Sequence, residues 1–329
     1  MRAGRLRWLA PPILLAMASL ASVSIGPYSR VGLPQLVDLM VSHNIPSTYF
    51  YIIVYRLTTT AAAIVLGVSL ASAGASLQYT LRNPLVDPYL AGVASGALLG
   101  VTLMIYLGRV GFLELYAAAM AGGLLTLALV TLVSSLAGGG ASTFLISGVA
   151  ASYVLSGLTM FLMIDLGPRL PGALYWMFGS VAFVTANILE KSAAVAAASL
   201  AGLLLLARKV NTFMLGDEVA RSLGVNVSLV RALSFLLASS ATSAVVAMSG
   251  PVGFIGLVPP WLARRMYGSN FTTVLPAAAT IGATLTVLSD VAARLVIYPS
   301  EAPLTAVTSV FGAPLLVYIL LKSRSEGSW

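Results

Sequence analysis

The stretch LTTTAAAIVLGVSLASAGASL, Leu57 to Leu77, decides the fold class of this chain. It contains 21 residues without a charge, about the length that an α-helix needs to cross the hydrocarbon core of a membrane. This length and composition predict a transmembrane helix. Small residues recur along it at a spacing of four, which places them on one helix face where a second helix can approach closely; they are Ala63, Gly67, Ala71 and Ala75.

Nine further apolar windows repeat this pattern along the chain. Ten spans of about 20 residues use roughly two-thirds of the sequence, which leaves no room for a second soluble domain. We therefore predict an all-α polytopic membrane protein with about ten transmembrane helices in a single domain, residues 1–329. Gly253–Leu262 is too short to cross alone as a regular helix. The nine windows are Trp8–Ile25, Leu90–Leu107, Leu115–Leu136, Phe144–Ile164, Ser192–Ala207, Ala232–Ser249, Gly253–Leu262, Val274–Ile297 and Leu304–Leu321.

Charge is scarce and falls unevenly on the two sides of the predicted membrane. Only 9% of the residues are charged, against about 25% in soluble proteins. One side carries 12 basic and 4 acidic residues, which gives the whole net charge of +8, and the other side carries 6 of each. Because basic residues concentrate in cytoplasmic loops, we predict that both termini of this multi-pass protein are on the cytoplasmic side of the cell membrane.

The same composition excludes several kinds of site. The basic residues are scattered singly and do not form the patch that nucleic-acid binding requires. The chain has no Cys and one His, His43, so disulfides and thiolate metal sites are excluded and histidine chemistry has little to use. We expect no metal site and no cofactor in this chain.

The first window has two interpretations. Arg2, Arg5 and Arg7 precede its apolar run, and the small residues Ala21 and Ser22 follow. These features describe a cleavable signal peptide, and they describe an uncleaved first helix equally well. Both remain open at this point.

No charged residue lies near the middle of any window, where a charge costs roughly 2.5–3.5 kcal/mol and usually serves a function. Ion-driven carriers commonly need such a group, so an ion-coupled secondary transporter without an ATPase partner is the alternative rather than the preferred function. The phosphate-binding motif G-x-x-x-x-G-K-[ST] is absent too. We expect a non-catalytic subunit that depends on another protein for its energy.

Two irregular segments interrupt the apolar pattern: the first broken segment, Arg82–Pro88, and the second broken segment, Gly250–Pro260. Backbone rich in Pro and Gly survives near a membrane when it is buried in protein or lines a cavity, and paired broken segments indicate a transport pathway. Arg56 to Pro84 and Arg231 to Pro259 both span 28 residues, which fits either a duplicated unit or two unrelated loops. The predicted hinge and pathway residues are Asn83, Pro84, Pro88, Gly250, Pro251, Gly253, Gly256, Pro259 and Pro260.

The longest hydrophilic stretch on the basic side is residues 210–230, with the core LGDEVARSLGV. Asp217 and Glu218 suit a helix amino terminus, and Arg221 follows Asp217 at the spacing of a helical ion pair. Gly224 then predicts the end of the helix. A short helix held at the membrane surface suits docking of a cytoplasmic partner, although an ordinary solvated loop would have the same composition.

LGDEVARSLGV closely resembles the cytoplasmic loop of FecCD-type permeases, the membrane subunits of ABC importers for iron–siderophore, haem and vitamin B12. Four landmarks keep the order and spacing of that family between about Arg56 and Lys322. Besides the loop they are RNPLVDPYLAGVASGALLG (Arg82–Gly100), SGPVGFIGLVPP (Ser249–Pro260), and the tail from Asp290 through Glu301 to Pro314.

The resemblance implies a vitamin B12 permease-like subunit of a type II ABC importer. Its implied partners are a second copy of this chain, two ATPase subunits that bind ATP and Mg, an external substrate-binding protein and membrane lipid. Arg56 and Arg294 match arginines that dock the binding protein, and Ser142–Ile164 with Leu174–Ser180 match pathway walls. The implied ATPase-coupling residues are Leu215, Gly216, Asp217, Glu218, Ala220, Arg221, Leu223 and Gly224.

The chain departs from the family pattern at three places. Arg56 is followed by Leu57-Thr58-Thr59 where Arg-x-Pro-Arg is usual, Trp261 follows Pro260 where His is usual, and Ser269-Asn270-Phe271 lies where Asp-His-Arg is common. These differences bear on partner docking rather than on the class. The implied transport is alternating access at a homodimer interface, with an iron chelate or cobalamin as substrate, and the sequence does not select between them.

Overall fold

Helices account for 82% of the structure and no strand occurs among the residues that the computed structural model describes, which are 2–26, 47–167, 177–297 and 300–326. The helices are α1 (Arg2–Ser24), α2 (Ser47–Thr80), α3 (Val93–Tyr106), α4 (Phe112–Leu136), α5 (Ala141–Asp165), α6 (Ala186–Thr212), α7 (Asp217–Ser222), α8 (Val227–Ser249), α9 (Val258–Tyr267), α10 (Phe271–Val296) and α11 (Leu304–Glu326). Two 3₁₀ turns, Pro88–Ala91 and Phe213–Leu215, precede α3 and α7.

Each predicted window contains a helix, but not every helix is long enough to be a span by itself. Six are long and apolar enough to cross a membrane: α2, α4, α5, α6, α8 and α10. Apolar parts of α1, α3 and α11 are shorter, so a count of ten crossings stays a prediction. In the Gly253–Leu262 window, α9 begins only at Val258, and Pro259 and Pro260 occupy its first turn, where the missing N–H of proline costs no helical hydrogen bond.

The centre of the bundle is α2, which packs most extensively against α10 and also against α8 and α6. The predicted small-residue face makes the α10 contact. Ala63 and Ala71 are fully buried, and a Cβ atom added to Gly67 would collide with the backbone carbonyl of Gly282 and lie 2.6 Å from Cα of Ala283. Small residues therefore permit the close approach of these two backbones, as the spacing predicts.

Substituting Gly67 by Leu is expected to destabilise the protein by about 1–3 kcal/mol, because the added side chain forces α2 and α10 apart. Thermal unfolding in detergent measures this effect. Gly157→Leu in α5 is the matched control, since a Cβ added there meets no atom within 4 Å. Equal stability of the two variants would contradict the proposed packing.

In contrast, α5 lies at the edge of the bundle. Only 11% of its most apolar window is buried, compared with 78% for α2. Its outward face is apolar and has no partner within the described part of the chain. The exposed large residues on it include Ile146, Tyr153, Val154, Met160, Phe161 and Ile164.

Candidate coupling and hinge sites

The two broken segments meet at one end of α2, although more than 160 residues separate them in the sequence. The Tyr89 hydroxyl, just after the first segment, accepts a hydrogen bond of 2.8 Å from the backbone N–H of Val252 in the second. Pro88 packs against Gly256, where an added Cβ would collide with the proline ring. A Cβ added to Gly74 of α2 would likewise collide with the backbone carbonyl of Gly256. The structure thus brings residues of the two predicted hinges into one contact region.

Gln78, near the end of α2, connects both segments. Its side-chain Nε2 lies 3.3 Å from the carbonyl oxygen of Val86 in the first segment. The same atom lies 3.4 Å from the carbonyl oxygens of Gly256 and Leu257 in the second. Arg264 of α9 donates to Gln78 Oε1 at 2.9 Å. A single buried amide therefore holds three pieces of irregular or short structure against α2.

The predicted hinge residues contribute in different ways. Asn83 Oδ1 accepts a hydrogen bond from the Leu85 N–H at 3.0 Å, which forms a local turn around Pro84. Gly250 ends α8, and the Pro251 carbonyl accepts a 2.7 Å hydrogen bond from Thr305. A Cβ at Gly253 would meet nothing within 4 Å, so this position does not take part in the close contact. A hinge or pathway role for these residues stays a prediction.

Asp87 is a carboxylate in this contact region. Its Oδ1 accepts a 2.8 Å hydrogen bond from the Tyr89 N–H and thereby caps the 3₁₀ turn. Burial raises the pKa of Asp87 from 3.8 to about 6, while the hydrogen bond from Tyr89 works in the opposite direction. Desolvation dominates because burial penalises the charged form.

The raised pKa makes stability depend on pH at this residue. The folded protein binds the Asp87 proton more tightly than the unfolded chain, so the contribution of Asp87 to stability is most favourable below pH 4 and falls as pH rises from about 4 to about 6. The rise in pKa corresponds to at most about 3 kcal/mol, reduced by the partial exposure of the side chain. We expect Asp87→Asn, which keeps the acceptor for Tyr89, to flatten the slope of the unfolding midpoint between pH 4 and 6. An unchanged slope would show that the charge of Asp87 is not penalised.

The predicted loop around Leu215 forms a 3₁₀ turn followed by α7, as its sequence pattern suggests. Phe213 and Ala220 are completely buried and attach this segment to the bundle. Gly224 has a φ of 79°, and its N–H bonds to the Arg221 carbonyl at 2.9 Å, while the Val225 N–H bonds to the Ala220 carbonyl at 3.0 Å. This is the Schellman termination that glycine favours, so the predicted end of the helix is confirmed.

The predicted ion pair between Asp217 and Arg221 does not form in the structure, so this prediction is wrong. Asp217 instead pairs with Arg231 of α8, whose Nη2 lies 2.8 Å from Oδ2, and with Arg82 of the first broken segment, whose Nη2 lies 3.5 Å from Oδ1. The guanidinium of Arg231 also lies over the Phe213 ring, 5.6 Å from its centre. Tertiary partners outcompete the exposed i,i+4 pair, which contributes only a few tenths of a kcal/mol.

The opposite face of this segment is exposed and carries both apolar and charged side chains. Glu218 and Arg221 are exposed, with no partner among the described residues. Four apolar side chains of the same segment also remain about half exposed: Met214 (45%), Leu215 (63%), Val219 (43%) and Leu223 (60%). We call the set of these four residues with Glu218 and Arg221 the coupling face. An apolar patch with a charged rim is typical of a protein-binding surface.

Arg56 and Arg294 lie together near the other end of α2 and are buried, with exposed fractions of 3% and 1%. Arg294 pairs with Asp290 and donates to Thr59 Oγ1 at 2.9 Å and to the Ser22 carbonyl at 3.2 Å. Arg56 Nη1 lies 3.0 Å from the Val23 carbonyl. Both arginines therefore hold the carboxyl end of α1. Docking of an external protein stays a prediction, and it would require these guanidinium groups to leave their present partners.

Two predicted features fall partly or wholly outside the described residues. They are His43 and the 174–176 part of Leu174–Ser180. Within the described residues, no group of three or more His, Asp or Glu side chains could hold a metal ion. The sequence interpretation missed Arg82, Arg231 and Gln78. A polar Gln directly after a long apolar window was the only available signal, since the partners of these three residues do not lie at helical spacing.

In the residues that the structure describes, six apolar helices long enough to cross a membrane define the class as a multi-pass membrane protein. The sequence profile of the FecCD transport family matches residues 14–322, and the chain belongs to this family.

Relatives and a solved structure support this membership. The chain is 34% identical to the cobalamin import system permease protein BtuC of Halobacterium salinarum, over 80% of this chain and 72% of the relative. It is also 34% identical to the Fe(3+) dicitrate transport system permease protein FecC of Escherichia coli, over 80% and 81%. An ABC transporter of metal-chelate type, solved in an inward-facing conformation, superposes with a TM-score of 0.85 at 30% identity and covers 97% of this chain and 99% of that chain.

Proposed function

We propose that this chain is the permease subunit of an ATP-driven importer that passes an iron chelate or cobalamin into the cytoplasm. The observation that carries the proposal is the coupling face, an exposed surface on a short helix whose other side is tied to the first broken segment and to α8. A force applied by a partner at this face acts on irregular backbone near the end of α2. The substrate class comes from the relatives, which are named for cobalamin and ferric dicitrate transport.

The proposed assembly contains two copies of this chain, two ATPase subunits and an external substrate-binding protein. The unpartnered apolar face of α5 suits contact with a second copy and with membrane lipid, and substrate would pass between the two copies by alternating access. ATP and Mg belong to the ATPase subunits, since this sequence has no phosphate-binding loop. The distribution of basic residues supports a cytoplasmic position for the coupling face and for both termini.

An ion-coupled carrier without an ATPase is the second candidate, and Asp290 is the observation that favours it. This carboxylate is buried inside α10, and intramembrane carboxylates often serve transport. Its pairing with Arg294 weighs against this role, because a proton- or sodium-binding carboxylate must exchange its partner during each cycle.

Reconstitution separates the two candidates. The chain is placed in proteoliposomes with its ATPase and with a binding protein loaded with a ferric siderophore or with cobalamin. We expect uptake that requires ATP and hydrolysis that increases when the loaded binding protein is added. Uptake that follows a pH gradient without the ATPase would favour the carrier, and hydrolysis indifferent to the loaded binding protein would refute the importer.

A further inference from the structure

Helix α7, which carries part of the coupling face, is too short to be stable by itself. It has six residues, whereas isolated helices below about 12 residues are marginal in water. Its position therefore depends on tertiary contacts, and two of its residues point inward to make them. Ala220 packs in the apolar core, and Asp217 supplies the charged contact.

Asp217 joins three elements through one carboxylate. Oδ2 accepts a hydrogen bond from Arg231 at 2.8 Å, and Oδ1 lies 3.5 Å from Arg82 Nη2 in an ion pair without a hydrogen bond, so α7, α8 and the first broken segment converge on it. The carboxylate is 24% exposed, like Arg231, and Arg82 is 48% exposed. This partial burial strengthens charge pairs relative to those on an open surface.

The backbone of Arg82 adopts the left-handed conformation, which is uncommon for a residue other than glycine. Its φ is 50°, and it ends α2 in the position where glycine is usually found, with its N–H bonded to the Tyr79 carbonyl and the Asn83 N–H bonded to the Gln78 carbonyl. A non-glycine residue in this region costs energy, so the surrounding contacts must hold the backbone in place. The side chain of Arg82 reaches Asp217.

We propose that Asp217 is the positioning residue that transmits motion of α7 to the transport pathway. Its pair with Arg82 connects α7 to the first broken segment, and its pair with Arg231 connects α7 to α8. The inference rests on the proposed function, because it assumes that a partner moves α7. The two acidic residues of α7 therefore have different roles. Asp217 pairs with residues of the same chain, and Glu218 faces the partner.

The first test reads the position of α7 without any partner. Because the chain has no Cys, a single Ser222→Cys on the exposed side of α7 can carry a spin label. We expect Asp217→Asn to increase the mobility of this label, and Glu114→Gln, which alters the exposed pair with Arg109, to leave it unchanged. If the label is equally immobile in Asp217→Asn, Asp217 does not hold α7 in position and the proposal is wrong.

The second test uses the reconstituted importer and measures substrate transported per ATP hydrolysed. We expect Asp217→Asn and Arg82→Gln each to lower this ratio by about fivefold or more, while hydrolysis continues. The double variant should be no worse than Asp217→Asn alone, because that change already removes the pair with Arg82, and Arg82→Lys should retain the wild-type ratio. Additive losses, or an unchanged ratio, would overturn the transmission role. Failure of the wild-type chain to import would instead refute the proposed function, and the label would still report whether Asp217 holds α7.

Discussion

Replacing Arg294 by Met is expected to destabilise the protein by about 3–5 kcal/mol, because it leaves the buried carboxylate of Asp290 without its partner. The variant also loses the hydrogen bonds from Arg294 to Thr59 and to the Ser22 carbonyl, which hold α1 in the bundle. The measurement is thermal unfolding in detergent. The matched control is Arg109→Met, whose pair with Glu114 is exposed and therefore contributes only about 0–1 kcal/mol.

A double variant separates the loss of charge pairing from the loss of packing. Asp290→Leu combined with Arg294→Met removes both charges, so no unpaired charge is buried, and it should recover most of the stability that Arg294→Met loses. If the double variant is as unstable as the single one, the unpaired carboxylate is not the cause. The hydrogen bonds to α1 would then account for the effect.

Placing a charge on the coupling face is expected to weaken association with the ATPase. The Leu223 side chain is 60% exposed, so Leu223→Glu does not disturb the core, but it buries an unpaired charge once a partner covers it. We expect the affinity for the purified ATPase to fall at least about tenfold, which corresponds to about 1.4 kcal/mol. Surface-captured permease in detergent can report this affinity directly.

Val110→Glu provides the control for that experiment. Val110 is 62% exposed and lies in the loop between α3 and α4, away from the coupling face in the sequence. The Val110→Glu variant should bind the ATPase with the same affinity as the wild-type chain. Unaltered affinity of Leu223→Glu would show that the partner does not cover this face, and the proposed function would lose its main support.

Much of the fold follows from local sequence patterns. Apolar windows locate the helices because a span must bury a continuous apolar length, and Gly224 marks the end of α7 because its left-handed conformation favours glycine. The small-residue spacing also predicts that a helix packs closely on α2. It does not identify α10 as that helix, since the pattern describes one surface only.

The charged contacts could not be predicted in the same way. Asp217 has a local candidate partner at the helical spacing, yet it pairs with Arg82, which lies 135 positions earlier, and with Arg231. Arg56 and Arg294 look like exposed ends of spans, but carbonyl groups at the end of α1 bind them. Apart from the pair of Asp290 with Arg294 at the i,i+4 spacing, these partners lie beyond the reach of helical periodicity, which contains no information about them.

The length of α2 ties the two faces of the membrane together. Its 34 residues measure about 51 Å along the axis at 1.5 Å per residue, well beyond a hydrocarbon core of about 30 Å. The stretch from Arg56 to Thr80 alone measures about 36 Å, so the arginine cluster and the Gln78 contacts can lie near opposite interfaces. This helix contains no proline at which to kink, and its packing against α10, α8 and α6 sets its tilt. About 20 Å of the helix is therefore left for the two polar interfaces.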